Sequence, residues 1–115
     1  MTVLYGIKNC DTVKKARAWL ESHGVDYRFH DFRVDGLEET QLRAWARAVG
    51  WETLLNRRGT TWRKLPEPER ADLTEARALA LMLREPTLIK RPVVEHDNQC
   101  LVGFDEATYQ QTFGR

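Results

Sequence analysis

An α/β fold with a four-stranded mixed sheet is predicted by three observations. The chain opens with a strand-helix-strand pattern inside about 30 residues, the spacing of a parallel β-α-β unit. It closes with two short apolar runs around a polar turn and then a helix, the pattern of an antiparallel hairpin followed by a packed helix. Between them lies a helical stretch, about residues 37–85, with no strand signal. The order is therefore β-α-β, helices, β-β-α.

Each element has its own justification. Val3-Leu4-Tyr5-Gly6-Ile7 is an apolar run and reads as the first strand. Val13, Ala16 and Leu20 share one face of a helix over 12–23, and Gly24 stands where a left-handed residue ends a helix. Residues 25–32 alternate apolar and polar, as a half-buried strand does. In the middle, Leu42, Trp45, Ala46 and Val49 mark an amphipathic helix ended at Gly50, and 51–55 reads as a short helical turn. Residues 56–61 read as a polar loop. Asp72 and Glu75 form a capping-box-like start for a helix that turns Leu73, Ala76, Leu79, Ala80 and Leu83 inward and stops at Pro86. Residues 92–95 and 100–103 form the hairpin around 96–99. Asp105 then caps a final helix, with Phe104 and Tyr109 placed as a hydrophobic staple.

At 115 residues the chain is one domain, long enough to bury roughly two-thirds of its unfolded surface without staples. Its hydrophobic fraction of 42% and charged fraction of 30% are ordinary. A net charge of +1 gives no bulk attraction to nucleic acid or a membrane surface. No apolar stretch approaches the ~20 residues of a membrane span. The short apolar run Val3 to Ile7 is cut by Lys8 and Asn9 and has no basic segment before it, unlike a signal peptide, so a cytoplasmic location is expected, where disulfides are uncommon. Cys10 and Cys100 form no C-x-x-C pair, and His23, His30 and His96 are scattered, so no metal site is expected.

Cys10 lies where the first strand hands over to the first helix. A helix start gathers unpaired N–H groups and the positive end of the helix dipole, which favour a thiolate. Lys8, Lys14 and Lys15 add positive charge, and Asp11 opposes it. Flanked by Asn9 and Asp11, Cys10 is poorly suited to a core. Cys100, at the start of a strand, reads as structural. Two further segments join Cys10 as a candidate site: Leu88-Ile89-Lys90-Arg91-Pro92-Val93-Val94 and the basic loop at Arg57 and Arg58. Thr12 is expected to cap the helix, Asn9 to orient backbone near the sulfur, and Trp19, Trp45, Trp51 and Trp62 to pack.

Four motifs then carry a resemblance. Gly-Ile-Lys-Asn-Cys-Asp-Thr-Val-Lys-Lys-Ala around Cys10, Asp-Phe-Arg-Val-Asp-Gly from Asp31, Arg-Gly-Thr-Thr-Trp-Arg-Lys-Leu from Arg58, and the Leu88 segment together resemble the arsenate-reductase-like (ArsC/Spx/YffB) family, most closely its YffB branch. The resemblance implies a thioredoxin-like fold with a helical insertion. It implies a nucleophile at Cys10, a thiolate-stabilising arginine at Arg91 and a cis peptide bond at Pro92, whose backbone docks an extended thiol substrate.

A rigid guanidinium beside a thiol lowers its pKa and can clamp a carboxylate or oxyanion. The arsenate reductases of the family use three arginines. Of these only Arg91 transfers here; the others fall at Asn56, beside Arg57, and near Gly103. The Spx regulators carry a C-x-x-C switch, whose second position is Val13 here. The resulting expectation is a glutathione-dependent thiol reductase with one nucleophilic cysteine. It would form a mixed disulfide and hold no bound cofactor. Glutathione is the cosubstrate and a glutaredoxin a candidate partner, with Lys8, Asn9, Thr12, Arg57, Arg58 and Pro92 as substrate-binding residues. The alternatives are an arsenate reductase with a rearranged oxyanion site and an Spx-like interaction module without catalysis.

Overall fold

Strand β1 (Thr2–Gly6) runs straight into the turn that carries Cys10, and helix α1 (Asp11–Ser22) begins at once. The computed structural model describes residues 1–114. Strand and helix meet closely because Gly6 has no side chain: a Cβ there would lie 2.7 Å from Cγ2 of Val13. Val13 is fully buried and β-branched, so it has little freedom to retreat. Gly6→Ala is therefore expected to destabilise the protein by about 1–3 kcal/mol, the usual range for overpacking. A lower denaturant midpoint with unchanged slope would report it; an unchanged midpoint would mean that α1 is not held at this distance.

His23 closes α1, and Gly24 takes the positive φ (70°) that the sequence predicted. Strand β2 (Arg28–Asp31) pairs parallel with β1. It is shorter than the expected 25–32. The Val25 N–H is tied to the Leu20 carbonyl, and Asp31 caps a short helix, α2 (Phe32–Asp35), by accepting the Arg33 N–H at 2.8 Å. The alternation was nonetheless real: Val25, Tyr27 and Phe29 all pack against the same core. Alternation reports which way side chains point and not where ladder pairing begins.

The chain forms two compact units, residues 1–36 with 91–115 and residues 37–90. The second unit is helical. It contains α3 (Glu39–Val49), α4 (Trp51–Leu54), α5 (Thr60–Lys64), α6 (Glu67–Arg70), α7 (Glu75–Arg84) and a 3₁₀ turn over Pro86–Leu88. Helix α5 replaces the last two residues of the expected loop 56–61. The side chain of Asn56 accepts the Arg58 N–H at 3.1 Å and Arg63 donates to the Arg58 carbonyl at 2.7 Å, which tightens the loop so that Gly59 caps a helix.

Helix α7 also differs. Its cap is Thr74, not Asp72, and Asp72 sits at φ 50°. Arg77 fixes this entry by donating to the carbonyls of Pro68, Ala71 and Asp72. The buried face is Ala78, Leu79, Leu81 and Met82; Ala76 and Ala80 are exposed, and Leu73 and Leu83 are half-buried. Residues 76–83 are apolar almost throughout, so periodicity alone does not choose the face.

Back in the first unit, β3 (Val93–His96) and β4 (Gln99–Val102) complete a sheet of order β2-β1-β3-β4, with β3 antiparallel to both neighbours. The turn is only Asp97-Asn98, because His96 and Gln99 still pair. Helix α8 (Glu106–Phe113) is capped by Asp105, and Phe104 packs edge-on against Tyr109 with ring centroids 4.9 Å apart. Leu4, Val13, Ala16, Trp19, Leu20, Val94 and Tyr109 form the core of this unit, on the face of the sheet covered by α1. Among the described residues, no helix is long and apolar enough to cross a membrane.

Candidate active site

Cys10 is itself the N-cap of α1, at φ −104° and ψ 126°. Its N–H donates to the Ile7 carbonyl at 3.3 Å, closing a turn through exposed Lys8 and Asn9. Its carbonyl accepts the Lys14 N–H at 2.9 Å, the first bond of the helix. Thr12 is therefore not the cap. It lies inside the first turn and acts through its main chain.

The sulfur is partly buried against the core. It makes no regular side-chain cap bond, but several donors lie close enough to stabilise its anion. Partial burial pushes the thiol pKa up. The Val13 N–H, a hydrogen bond and positive charge from Arg91, and the Thr12 N–H together outweigh it, so the net direction is down. Val13 was not expected to take part, although the signal was present: a cap side chain meets the N–H two and three residues on, and those are Thr12 and Val13. Val13 thus fills the core with its side chain and faces the sulfur with its main chain.

Arg91 is half-buried, and the Arg91–Pro92 peptide bond is cis. Pro92 is buried, and its carbonyl accepts the Gly103 N–H at 2.8 Å. Gly103, which the resemblance puts near an arginine of the arsenate reductases, supplies no side-chain donor.

Arg57 and Arg58 lie in the helical unit and are exposed. With Glu52, Leu55, Asn56 and Lys90 they line a pocket of about 300 Å³. The Arg57 guanidinium carbon is 5.9 Å from the ring centroid of Trp51 and 5.7 Å from that of Trp62, within cation–π range. These two tryptophans therefore steady a cation in addition to packing. Lys90 reaches this group because the Leu55–Ile89 bridge and the bond from the Lys90 N–H to the Leu54 carbonyl bring segment 88–90 alongside the loop. Among the described residues, no group of metal-ligating side chains could hold an ion.

Cys100 is a different kind of thiol. It pairs with Glu95, which in turn pairs with Val3, whereas the Cys10 turn is anchored at Ile7, roughly 13 Å farther along at 3.3 Å per residue. Cys100 also stands two strands to the side, and it points away from the core face that its neighbour Leu101 joins. A disulfide needs Cα atoms within about 7 Å, so Cys100 cannot bridge to Cys10 in this fold.

Burial, with Glu95 beside it, pushes the Cys100 thiol up to about 11. The unfolded chain then loses this proton before the folded one does, so the thiol subtracts stability as pH rises from about 9 to 11. Denaturant midpoints at pH 8 and 11 should accordingly fall less for Cys100→Ser than for the unmodified protein; equal falls would contradict the assignment.

With this geometry in hand, similarity to known proteins decides the family. The ArsC family model matches residues 5–112. The chain belongs to the ArsC family. The solved structure of a YffB protein is 53% identical, covers 96% of this chain and 97% of its own, and superposes with a TM-score of 0.94. An uncharacterized protein of Haemophilus influenzae is 47% identical over 113 residues, which span 98% of this chain and 99% of that one. The global transcriptional regulator Spx of Streptococcus pyogenes is 27% identical over 92% of this chain and 80% of its own. The fold is thus the arsenate-reductase-like α/β fold expected from the four motifs, and the YffB likeness agrees with the branch they indicated.

Proposed function

We propose that this ArsC-family protein is a glutathione-dependent thiol reductase of the monothiol kind. The observation that carries the reading is the Arg91 guanidinium on the Cys10 sulfur at the start of α1, an arrangement that favours the thiolate. In the proposed cycle the Cys10 thiolate attacks one sulfur of a disulfide. The S–S bond breaks, a mixed disulfide forms on Cys10, and the other half leaves as a thiolate that takes a proton from water. A glutathione thiolate then attacks the substrate sulfur of the mixed disulfide, forming a glutathione–substrate disulfide and releasing the Cys10 thiolate, and a second glutathione frees the substrate thiol and leaves glutathione disulfide; a glutaredoxin is the other candidate for the release of Cys10. The external thiol is needed because Cys100 lies out of reach and Val13 holds the position of a C-x-x-C partner. Within the helical unit, the basic pocket at Arg57, Arg58 and Lys90 has the charge to hold a carboxylate.

Arsenate fits less well. A dense oxyanion needs several charged donors to offset its desolvation, and the resemblance puts two of the arsenate reductases' arginines at Asn56 and near Gly103, neither of which is a cation. An arsenate reduction assay with glutathione and glutaredoxin should show little turnover. An interaction module of the Spx kind would keep its partner while showing no thiol chemistry, and lysate pull-downs with unmodified protein and Cys10→Ala separate that outcome. The direct test is incubation with oxidised glutathione, then intact-mass measurement and peptide mapping. One glutathione on the Cys10 peptide is expected. No adduct, or an adduct on Cys100 alone, would overturn the reading.

A further inference from the structure

We propose that the Cys10 site selects anionic disulfides over neutral ones, through the cations of Lys8, Lys14, Lys15 and Arg91. The inference rests on the thiol-reductase reading and adds to it a substrate class. Three of these cations lie within five residues of Cys10 in sequence, and the structure leaves Lys8, Lys14 and Lys15 exposed, so their charge is presented to solvent: among the described residues none of the three forms a salt bridge. Lys14 stands one helical turn beyond the sulfur, its N–H bonded to the Cys10 carbonyl. Arg91 brings a fourth cation from a distant part of the sequence onto the sulfur itself. The positive end of the twelve-residue helix α1 points the same way. Against these stands one carboxylate in the segment, Asp11, also exposed.

The protein as a whole has a net charge of only +1, so this field is local to the thiol. A local field of one sign raises the encounter rate of oppositely charged reactants by roughly ten-fold or more at low salt, and salt removes the effect. The chemistry is the exchange already described: Cys10 gains a bond to one sulfur of the incoming disulfide, the S–S bond breaks, and the leaving thiolate carries away the electron pair. A thiolate departs from either kind of disulfide, so the selection lies in the approach, which the positive potential favours for the anionic one.

The test uses Cys100→Ser protein, so that one thiol reports. Stopped-flow rates are measured with dithio-bis-nitrobenzoate, a dianionic aryl disulfide, and with dipyridyl disulfide, a neutral one. Each rate is divided by that of a small neutral thiol with the same probe, which removes the intrinsic reactivity of the probe. The expected normalised preference for the dianion is about ten-fold at about 10 mM salt, falling toward unity at about 1 M, where the Debye length is about 3 Å. Lys14→Gln with Lys15→Gln should lower the low-salt preference about three-fold, and Asp11→Asn should raise it; a structural disturbance alone has no reason to move the ratio in opposite directions. A preference near unity at both salt concentrations, with Cys10 still reacting faster than the reference thiol, would overturn charge selection and leave the thiol-reductase reading standing. Reaction with both probes no faster than the reference thiol would overturn both.

Discussion

Replacing Cys10 with serine should reduce glutathione-coupled disulfide reduction to the uncatalysed background, whereas Cys100→Ser should keep the rate within about two-fold. The asymmetry follows from geometry. Cys10 sits at a helix start with three donors near its sulfur: the Val13 N–H, the Thr12 N–H and the Arg91 guanidinium. Cys100 is held in its protonated form by burial and by Glu95, with a pKa of about 11. A serine hydroxyl is not ionised near neutral pH and forms no mixed disulfide, so no residual route remains through position 10. A coupled assay following glutathione oxidation, run on the three proteins side by side, reads the result. Strong loss in Cys100→Ser would mean that the second thiol enters the cycle, against the register of the sheet.

Arg91→Met is expected to be the next most damaging change. Methionine keeps much of the aliphatic length and removes both the charge and the hydrogen bond to sulfur. A hydrogen bond to a charged group is worth about 1.5–3 kcal/mol, so the thiolate population near pH 7, and with it the alkylation rate, should fall about ten-fold or more. The sign is fixed by the chemistry. Arg91 favours the charged form, so its loss moves the reactivity profile to higher pH, and the variant should recover toward the unmodified rate in alkaline solution once both thiols are ionised. A fall that persists at high pH would point to damaged folding or access instead. Gly6→Ala makes a useful comparison, since it disturbs the same β1–α1 junction by crowding Val13 without touching the charges.

Much of the scaffold was legible because its signals are local. Gly24 after α1, Pro86 after α7 and Asp105 before α8 each act through their own backbone geometry or capping oxygen, and each ends or starts its helix where expected. The failures share a cause: a local pattern compatible with two outcomes, settled by contacts from elsewhere. The face of α7 is an example, since an apolar run from Ala76 to Leu83 offers several stripes and the carbonyl clip made by Arg77 decides the entry. The early start of α5 depends in the same way on Arg63 reaching back to the Arg58 carbonyl.

The site divides along the same line. Cys10 was legible from its strand-to-helix position, and the Val13 N–H could have been read from cap geometry. Arg91 was placed by family resemblance, because nothing in the residues around it says which distant side chain it will meet. The grouping of Lys90 with Arg57 and Arg58 depends on the Leu55–Ile89 bridge, a long-range pairing with no local signature.

The central claim is that Cys10 is a thiol made acidic by its surroundings, and its alkylation rate across pH tests that most directly. Measured on Cys100→Ser protein, the midpoint of the profile should lie below that of a free cysteine peptide measured alongside it. A midpoint at or above that value would show that burial outweighs the Val13, Thr12 and Arg91 donors, and would contradict the account.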